Sequence, residues 1–174
     1  MIGILALHGG FLEHEAILRS LGLEFKRVVE PDESLTGLII PGGESTVMDM
    51  FMQKYNWIEF LKEKVKSDPE FIVYGTCAGL ILLARYGFLD AKVERNAYGT
   101  QINSFIADLN VKNLGTIRAS FIRAPKIIEC GKNAEILCEY DGDAVLIRQK
   151  NIWGGSFHPE LCDETALHRH IFLK

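Results

Sequence analysis

Residues 71–84 read FIVYGTCAGLILLA, an apolar run interrupted by the pentapeptide Gly-Thr-Cys-Ala-Gly. Phe71 to Tyr74 is short and apolar, as in a buried strand, and Leu80 to Ala84 continues as a buried helix. The pentapeptide is therefore a sharp turn from strand to helix with Cys77 at its apex. Glycines at both ends have no Cβ, so that strand and helix can approach closely. This pattern predicts a nucleophile elbow, with cysteine in the place of serine.

The position of Cys77 favours a reactive thiol. The amino terminus of the following helix carries a partial positive charge, which favours thiolate over thiol. Free backbone N–H groups there, that of Ala78 first, can hold a developing oxyanion. A lone cysteine is more often a small buried hydrophobic residue, but its place in a GxCxG turn between strand and helix indicates a catalytic role.

The rest of the chain alternates predicted strands with helices up to about Ala91, after which short β-rich segments predominate. Apolar strands are predicted at Ile2 to Leu7, Leu23 to Val29 and Gly37 to Ile40, with helical patterns at Glu13 to Leu21 and from Thr46 to Val65. This alternation predicts an α/β fold with a parallel sheet. Later segments predict partly antiparallel strands, at Thr116 to Ile122, Lys126 to Cys130, Glu135 to Tyr140, Ala144 to Arg148 and Ile152 to Phe157. Glu164 to Leu173 is predicted to be a closing helix.

Size and composition restrict the class of protein. With 174 residues, 48% of them hydrophobic, the chain is expected to form a single domain over residues 1–174. A net charge of −4 without a run of Lys or Arg argues against nucleic acid or an anionic membrane as partner. Met1 to Gly10 lacks the features of a signal peptide, and no apolar stretch approaches the ~20 residues of a membrane-spanning helix. The cysteines form no CxxC pair, so a reducing cytoplasm is expected.

A thiol nucleophile needs a base, and the base needs an orienting partner. Residues 156–160, SFHPE, supply both. His158 follows an apolar strand, and Pro159 fixes the chain direction so that Glu160 can fold back towards the imidazole. Alone, His-Pro-Glu is typical of a hydrogen-bonded structural histidine. Combined with the elbow, it predicts a Cys77, His158 and Glu160 triad in which the carboxylate holds the tautomer of the ring.

The segment Pro41-Gly42-Gly43-Glu44-Ser45 ends the third predicted strand, and therefore lies at the same sheet edge as Cys77. Two consecutive glycines allow a peptide plane to rotate and to aim an N–H at a substrate oxygen. Gly42 and Gly43 are thus expected to complete an oxyanion hole with Ala78. By itself the segment is more typical of an ordinary turn, with Ser45 capping the next helix.

Taken together, GTCAG at Gly75, PGGES at Pro41 and SFHPE at Ser156 resemble the class I, triad-type glutamine amidotransferases. Within that class, nearly the whole chain resembles the glutaminase subunit of pyridoxal 5'-phosphate synthase. The segments that carry this closer resemblance are LAL-x-G at Leu5, PGGEST at Pro41, GTCAGLILLA at Gly75, VERNxxG at Val93 and FIRAP at Phe121. The chain departs from the family at His8, where Gln is usual, and has a shorter segment between Arg85 and Val93.

The resemblance implies a flavodoxin-like three-layer fold with a mostly parallel central sheet and additional antiparallel strands in the C-terminal half. It implies hydrolysis of L-glutamine to L-glutamate and ammonia through a thioester on Cys77, with His158 and Glu160 completing the triad. A separate synthase subunit would use the ammonia to build pyridoxal 5'-phosphate, or vitamin B6. No cofactor or metal is implied. The implied glutamine contacts are Gly43, Glu44, Ser45, Arg95, Ile122 and Arg123.

Alternative interpretations remain open at this stage. His158, Cys162, His168 and His170 could be imagined as a zinc site, but they lack the paired ligands usual in structural zinc sites. Without the motif context, Arg95 and Arg123 would be assigned to ordinary ion pairs. The glutaminase subunit of imidazole glycerol phosphate synthase shares the triad and fold, although VERN and FIRAP argue against it. A non-catalytic binding module on the same fold would leave the Cys77 thiol unreactive.

Overall fold

The computed structural model describes residues 1–95 and 104–173 of the chain. A seven-stranded sheet lies at the centre of the fold. The described strands are β1 (Ile2–Leu5), β2 (Phe25–Val28), β3 (Gly37–Ile40), β4 (Ile72–Thr76), β5 (Ala91–Glu94), β6 (Phe105–Val111), β7 (Gly115–Phe121), β8 (Lys126–Cys130), β9 (Glu135–Tyr140), β10 (Asp143–Gln149) and β11 (Ile152–Gly155). The described α-helices are α1 (Phe11–Ser20), α2 (Ser45–Lys54), α3 (Trp57–Ser67), α4 (Ala78–Arg85) and α5 (Ala166–Phe172). A short 3-10 helix, Pro159–Cys162, lies between β11 and α5.

The central sheet has the strand order β2-β1-β3-β4-β11-β10-β9. The first five of these strands are mutually parallel, whereas β10 runs antiparallel to both β11 and β9. The predicted α/β fold, with a mostly parallel sheet and antiparallel strands in the C-terminal half, is therefore confirmed. Among the described residues, two further antiparallel pairs, β5 with β8 and β6 with β7, lie outside this sheet.

Hydrophobic residues cover both faces of the sheet, because side chains alternate along each strand. In β3, Ile39 joins the cluster formed with α1, α5 and the β6–β7 pair, while Ile40 joins the cluster formed with α2, α3 and α4. Tyr74 and Val73 of β4 divide between the clusters in the same way. A parallel sheet buried on both faces explains the near-continuous apolar sequence of its strands.

Local sequence signals explain where the first helices end. Gly22, at φ 69°, closes α1 in the left-handed conformation that glycine favours, and Leu23 N–H donates to Leu18 O at 3.0 Å. The helical pattern from Thr46 to Val65 forms two helices rather than one. Asn56, at φ 61°, separates α2 from α3. Asparagine tolerates this conformation better than most residues, so that the chain can turn there.

Two strands were missed by the sequence analysis. β6 pairs with β7 over its whole length, and its side chains alternate, with Ala107, Leu109 and Val111 buried. This alternation over FIADLNV is the signal that identifies a half-buried strand. β5 is only four residues long and carries the charged residues Lys92 and Glu94, so its sequence alone gives little indication of a strand. It pairs with β8.

The carboxyl ends of β1, β3, β4 and β11 meet at one edge of the sheet, since these strands are parallel. The loops that leave them carry His8 to Gly10, Pro41 to Glu44, Cys77 and Ser156 to His158. In open α/β sheets, ligands bind outside the carboxyl ends of the strands. Within the part of the chain that the structure describes, no helix is long and apolar enough to cross a membrane.

Candidate active site

Cys77 occupies the junction between β4 and α4 in a strained backbone conformation. Its φ of 49° and ψ of −99° lie outside the regions that non-glycine residues favour. Its backbone N–H donates to Gly155 O at 2.8 Å, which ties the turn to the neighbouring strand β11. The residue is only 8% exposed. The fold therefore holds one thiol in a defined place at the sheet edge.

The glycines around Cys77 allow backbone segments to approach closely. A Cβ added at Gly79 would lie 2.2 Å from Ile40 O, and one added at Gly75 would lie 2.7 Å from the carbonyl carbon of Gly79. Real Cβ atoms do not approach other atoms so closely, so that larger residues would push α4 away from the sheet. The turn therefore requires the two glycines of the GTCAG motif.

His158 is held by the end of β7. Its backbone N–H donates to Ser120 O at 2.7 Å, and Ser120 N–H donates to His158 O at 3.1 Å. The imidazole lies against Gly42, where an added Cβ would stand 2.3 Å from Cε1 of the ring. The absence of a side chain at position 42 thus gives His158 its room, which is a second reason for glycine there.

The three residues of the predicted triad lie together. His158 Nδ1 is 2.7 Å from Glu160 Oε1, and Cys77 lines the same cleft as both residues. Glu160 is in the 3-10 helix and is 5% exposed. A carboxylate only accepts hydrogen bonds, so Nδ1 carries the proton in this contact. The arrangement is that of a nucleophile, a base and an orienting carboxylate.

Electrostatics favour the charged forms of both His158 and Glu160. Burial lowers the pKa of His158, but its hydrogen bonds to Cys77 and Glu160, together with their charges, outweigh burial and raise the pKa to about 10. Burial raises the pKa of Glu160, but attraction to His14 and His158 and the hydrogen bond from His158 lower it to about 2. At neutral pH the pair is an imidazolium beside a carboxylate. A positively charged imidazole stabilises a neighbouring thiolate.

The Gly42–Gly43 peptide is held by the loop after β1. Gly42 O accepts a hydrogen bond from Gly10 N–H at 3.0 Å, and a Cβ added at Gly9 would lie 1.8 Å from that oxygen. Because a trans peptide is planar, the N–H of Gly43 points opposite to this carbonyl. Gly43 has φ 157°, and Ala78, the first residue of α4, is fully buried. Ala78 N–H belongs to the helical turn whose N–H groups lack an intrahelical acceptor.

A cleft of about 600 Å³ opens above these residues. Its lining contains every predicted site residue except Ala78, namely Gly42, Gly43, Glu44, Ser45, Cys77, Arg95, Ile122, Arg123, His158 and Glu160. Four further lining residues, Gly10, Glu13, Ile81 and Leu161, were not predicted. They come from the start of α1, from α4 and from the 3-10 helix, and only the folded chain brings them to the edge where β4 ends.

Glu44 is fixed at the start of α2. Its Oε1 accepts from Thr46 N–H at 3.1 Å and its Oε2 from Val47 N–H at 2.8 Å, and these backbone hydrogen bonds lower its pKa. Glu44, rather than Ser45, therefore caps the helix. Arg95 Nη2 donates to Glu44 Oε1 at 2.9 Å, and Nη1 donates to Thr46 Oγ1 at 3.0 Å. Arg95 is thus both a partner of Glu44 and part of the cleft.

Ile122 and Arg123 follow β7 directly. Ile122 is 38% exposed, and Arg123 has φ 45°, a conformation that bulky residues rarely adopt. Both residues line the cleft. Strained backbone of this kind is concentrated at functional sites, where the surrounding structure stabilises it.

A cavity of about 660 Å³ near the β6–β7 turn is slightly larger than the cleft. Its lining residues, 110–115 and 136–139, include no histidine or arginine. The chemistry of the lining, rather than the volume, therefore identifies the 600 Å³ cleft as the candidate site.

The residues considered for zinc are dispersed or otherwise engaged. His168 is buried against His14, and the ring centroid of His170 lies 5.7 Å from that of Trp153. Within residues 1–95 and 104–173, no group of three or more His, Cys, Asp or Glu is arranged to hold a metal ion. All four cysteines are free thiols.

Fold and site together define the class of protein, the glutamine amidotransferases. A solved structure described as a glutamine amidotransferase is similar over 98% of this chain and 96% of that chain, with a TM-score of 0.93 and 40% identity. Residues 4–174 match the SNO glutamine amidotransferase family, and the chain belongs to that family.

Relatives of similar length carry a more specific name. The pyridoxal 5'-phosphate synthase subunit PdxT of Thermosipho africanus is 45% identical over 98% of this chain and 96% of its own length. The protein of the same name from Carboxydothermus hydrogenoformans is 41% identical over 99% and 96%. The structure of PurLQS from Thermotoga maritima matches 99% of this chain and 98% of its own with a TM-score of 0.76, but at 18% identity it shows only a common fold.

Proposed function

We propose that this chain is the glutaminase subunit of a pyridoxal 5'-phosphate synthase. It hydrolyses L-glutamine to L-glutamate and ammonia, which a separate synthase subunit uses to build the vitamin B6 cofactor. Membership of the SNO family and relatives named PdxT at 41–45% identity support this function. The observation that carries the chemistry is the contact of His158 Nδ1 with Glu160 Oε1, at 2.7 Å, in the cleft that Cys77 also lines.

In the proposed reaction, the Cys77 thiolate attacks the side-chain amide carbon of glutamine. The C–S bond forms, and the N–H groups of Gly43 and Ala78 stabilise the resulting oxyanion. His158 gives its proton to the departing nitrogen, and the C–N bond breaks to release ammonia and leave a thioester. Water then attacks the thioester with His158 as the base. The C–S bond breaks, glutamate leaves and the thiol is regenerated.

The charged residues of the cleft suit the zwitterionic end of free glutamine. The Glu44 carboxylate would attract the α-ammonium group, and Arg95 or Arg123 the α-carboxylate. Oε1 of Glu44 already accepts from Thr46 N–H and from Arg95, but Oε2, which accepts from Val47 N–H, can accept a second hydrogen bond. Backbone groups of Gly43, Ser45 and Ile122 would contact the remaining polar atoms.

We also propose that docking of the synthase subunit controls the orientation of the Gly42–Gly43 peptide. Rotating this peptide would break the Gly10 N–H to Gly42 O hydrogen bond, which has a length of 3.0 Å. One such bond contributes a net free energy of only about 1 kcal/mol. Contacts with a partner at this edge can therefore shift the equilibrium between the two orientations of the peptide. Ammonia would then be released only where it is used. A single domain over residues 1–174 and a reducing cytoplasm, in which Cys77 stays a free thiol, complete the proposal.

The proposal is tested with a glutamine-like alkylating agent, followed by peptide mass spectrometry. We expect modification of Cys77 that excess L-glutamine prevents, and no modification in Cys77→Ala. Cys162→Ala is the matched control, because Cys162 is close in sequence to Glu160 but has no part in the reaction. A binding module without catalysis predicts an unreactive Cys77. Activation by an imidazole glycerol phosphate synthase partner, rather than a pyridoxal 5'-phosphate synthase partner, would instead identify the chain as the glutaminase subunit of imidazole glycerol phosphate synthase.

A further inference from the structure

Two histidines that the reaction does not use are buried behind the triad. His14 of α1 and His168 of α5 are both 0% exposed. His14 Nδ1 lies 2.9 Å from His168 Nε2, and His14 Nε2 lies 3.3 Å from Thr76 Oγ1 and 3.4 Å from Glu160 Oε1. Burying polar rings costs free energy unless they form specific hydrogen bonds. The two histidines therefore form a buried pair in which His168 contacts His14, and His14 lies beside the Glu160 carboxylate.

The protonation of the two rings follows from their neighbours. Burial lowers the pKa of His14, and burial together with the nearby His14 lowers that of His168 to about 3, so both rings are neutral at physiological pH. A neutral imidazole has one N–H and one acceptor nitrogen. The carboxylate of Glu160 can only accept, so His14 presents its N–H at Nε2. Nδ1 of His14 is then the acceptor for the N–H at Nε2 of His168.

This assignment of the protons explains why Nδ1 of His168 has no hydrogen-bond partner in the part of the chain that the structure describes. With its proton at Nε2, His168 has a bare Nδ1, and that atom is buried without a hydrogen-bond partner among the described residues. In this assignment His168 donates its N–H to His14, and the N–H of His14 lies within reach of both Thr76 Oγ1 and Glu160 Oε1. Tyr74 packs edge-on against both imidazoles, with ring centroids 5.4 Å from His168 and 6.3 Å from His14, and so limits their rotation.

We propose that His14, oriented by His168, is a positioning residue that holds the Glu160 carboxylate in place for His158. Oε1 of Glu160 lies between two imidazole N–H groups, at 2.7 Å from His158 Nδ1 and 3.4 Å from His14 Nε2. The second N–H restrains the carboxylate from rotating away from His158. Thr76 immediately precedes Cys77, so His14 also connects the nucleophile turn with the carboxylate. The inference rests on the proposed function, in which His158 and Glu160 act as base and orienting group.

A pair of variants at one position tests this role. The amide nitrogen of Gln can take the place of Nε2 of histidine, whereas the amide of Asn reaches only the place of Nδ1. We expect His14→Gln to keep kcat for glutamine hydrolysis within about threefold of wild type, and His14→Asn to lower it roughly tenfold, as for a lost hydrogen bond to a charged group. KM should change less than twofold in both, because His14 does not line the cleft.

A second readout does not depend on turnover. The Nδ1 proton of His158, observed by NMR with ¹⁵N-labelled histidine, should keep its low-field resonance in His14→Gln and lose it or shift upfield in His14→Asn. This measurement tests the contact even in a protein that proves not to hydrolyse glutamine. Failure of the proposed function would appear separately, as an unreactive Cys77 in wild type.

The proposal is overturned if His14→Asn matches wild type in both kcat and the His158 resonance. It is also overturned if both variants lose activity equally in parallel with thermal stability, because that result indicates packing alone. If neither variant folds, the same comparison is made at His168. There, His168→Gln keeps a donor towards His14 and should retain kcat, whereas His168→Asn should not.

Discussion

The imidazole of His158 packs directly on the backbone of Gly42, where an added Cβ would stand 2.3 Å from Cε1 of the ring. We predict that Gly42→Ala displaces His158 and lowers kcat by at least about 10²-fold, because misplacing a catalytic group by 1 Å has an effect of this size. Gly155→Ala is the matched control, since a Cβ there would come no closer than 3.5 Å to another atom. Steady-state glutaminase assays compare the two. Equal activity of both variants would contradict the close packing of ring and glycine.

At Cys77 the backbone strain and the chemistry can be separated. Cys77→Ala and Cys77→Gly should both lose hydrolysis by orders of magnitude, because each lacks the thiol. Glycine adopts φ 49° and ψ −99° more readily than alanine, so that Cys77→Gly should have a free energy of unfolding about 1 kcal/mol higher than Cys77→Ala. Denaturant unfolding of both variants measures this difference. A less stable glycine variant would show that the turn is not strained.

Orientation and proton transfer should be distinguished by substitution of the other two triad residues. Glu160→Gln should retain measurable hydrolysis, reduced by roughly 10²–10⁴-fold, because the amide can donate to Nδ1 and so favours the wrong tautomer of His158. His158→Ala should lose nearly all activity, since in the proposed reaction His158 moves the protons. Single-turnover kinetics with glutamine quantify both losses. If Glu160→Gln were as active as wild type, another residue would orient His158.

The raised pKa of His158 also predicts a dependence of stability on pH. The folded pKa of about 10 exceeds the ordinary value of 6.5, so between these values the folded protein binds a proton that the unfolded chain does not. The stabilisation is therefore fully present below pH 6.5 and is lost as the pH rises through about 10. Urea unfolding of wild type at several pH values should show this decline. His158→Asn should show a smaller one, and identical slopes would exclude the ion pair.

The parts of the fold and site that could be predicted depend on local signals. GTCAG specifies a strand, a turn and a helix within 14 residues of sequence, and Gly79 proves necessary for the close approach of α4 to Ile40. His158 and Glu160 are separated only by Pro159. Because proline fixes the chain direction, the sequence indicates that the Glu160 side chain can fold back towards the imidazole of His158. Glu44 was singled out as a glutamine contact, but its role as the cap of α2 was not foreseen, because Ser45 is the more usual capping residue.

Other features depend on contacts between distant segments. His14 and His168 are separated by 154 positions and meet only because α1 and α5 cover the same face of the sheet. From the sequence, His168 was considered only as a zinc ligand, and no role was predicted for His14. Gly42 was assigned a role in peptide rotation, whereas its contact with His158 depends on the Ser120 bridge that brings β7 to the end of β11. No periodicity or motif in the sequence encodes these pairings.

Glutamine turnover, with and without the synthase partner, tests the central claim most directly. We predict that kcat for glutamine hydrolysis is low for the isolated chain and rises about 10²–10³-fold with a purified pyridoxal 5'-phosphate synthase subunit, because an oxyanion donor acts on the transition state. Cys77→Ala should form the same complex without turnover, which separates binding from chemistry. Full activity of the isolated chain would contradict the gating by the Gly42–Gly43 peptide. Turnover that persists in Cys77→Ala would contradict the triad, and with it the account of this protein as a thiol-dependent glutaminase.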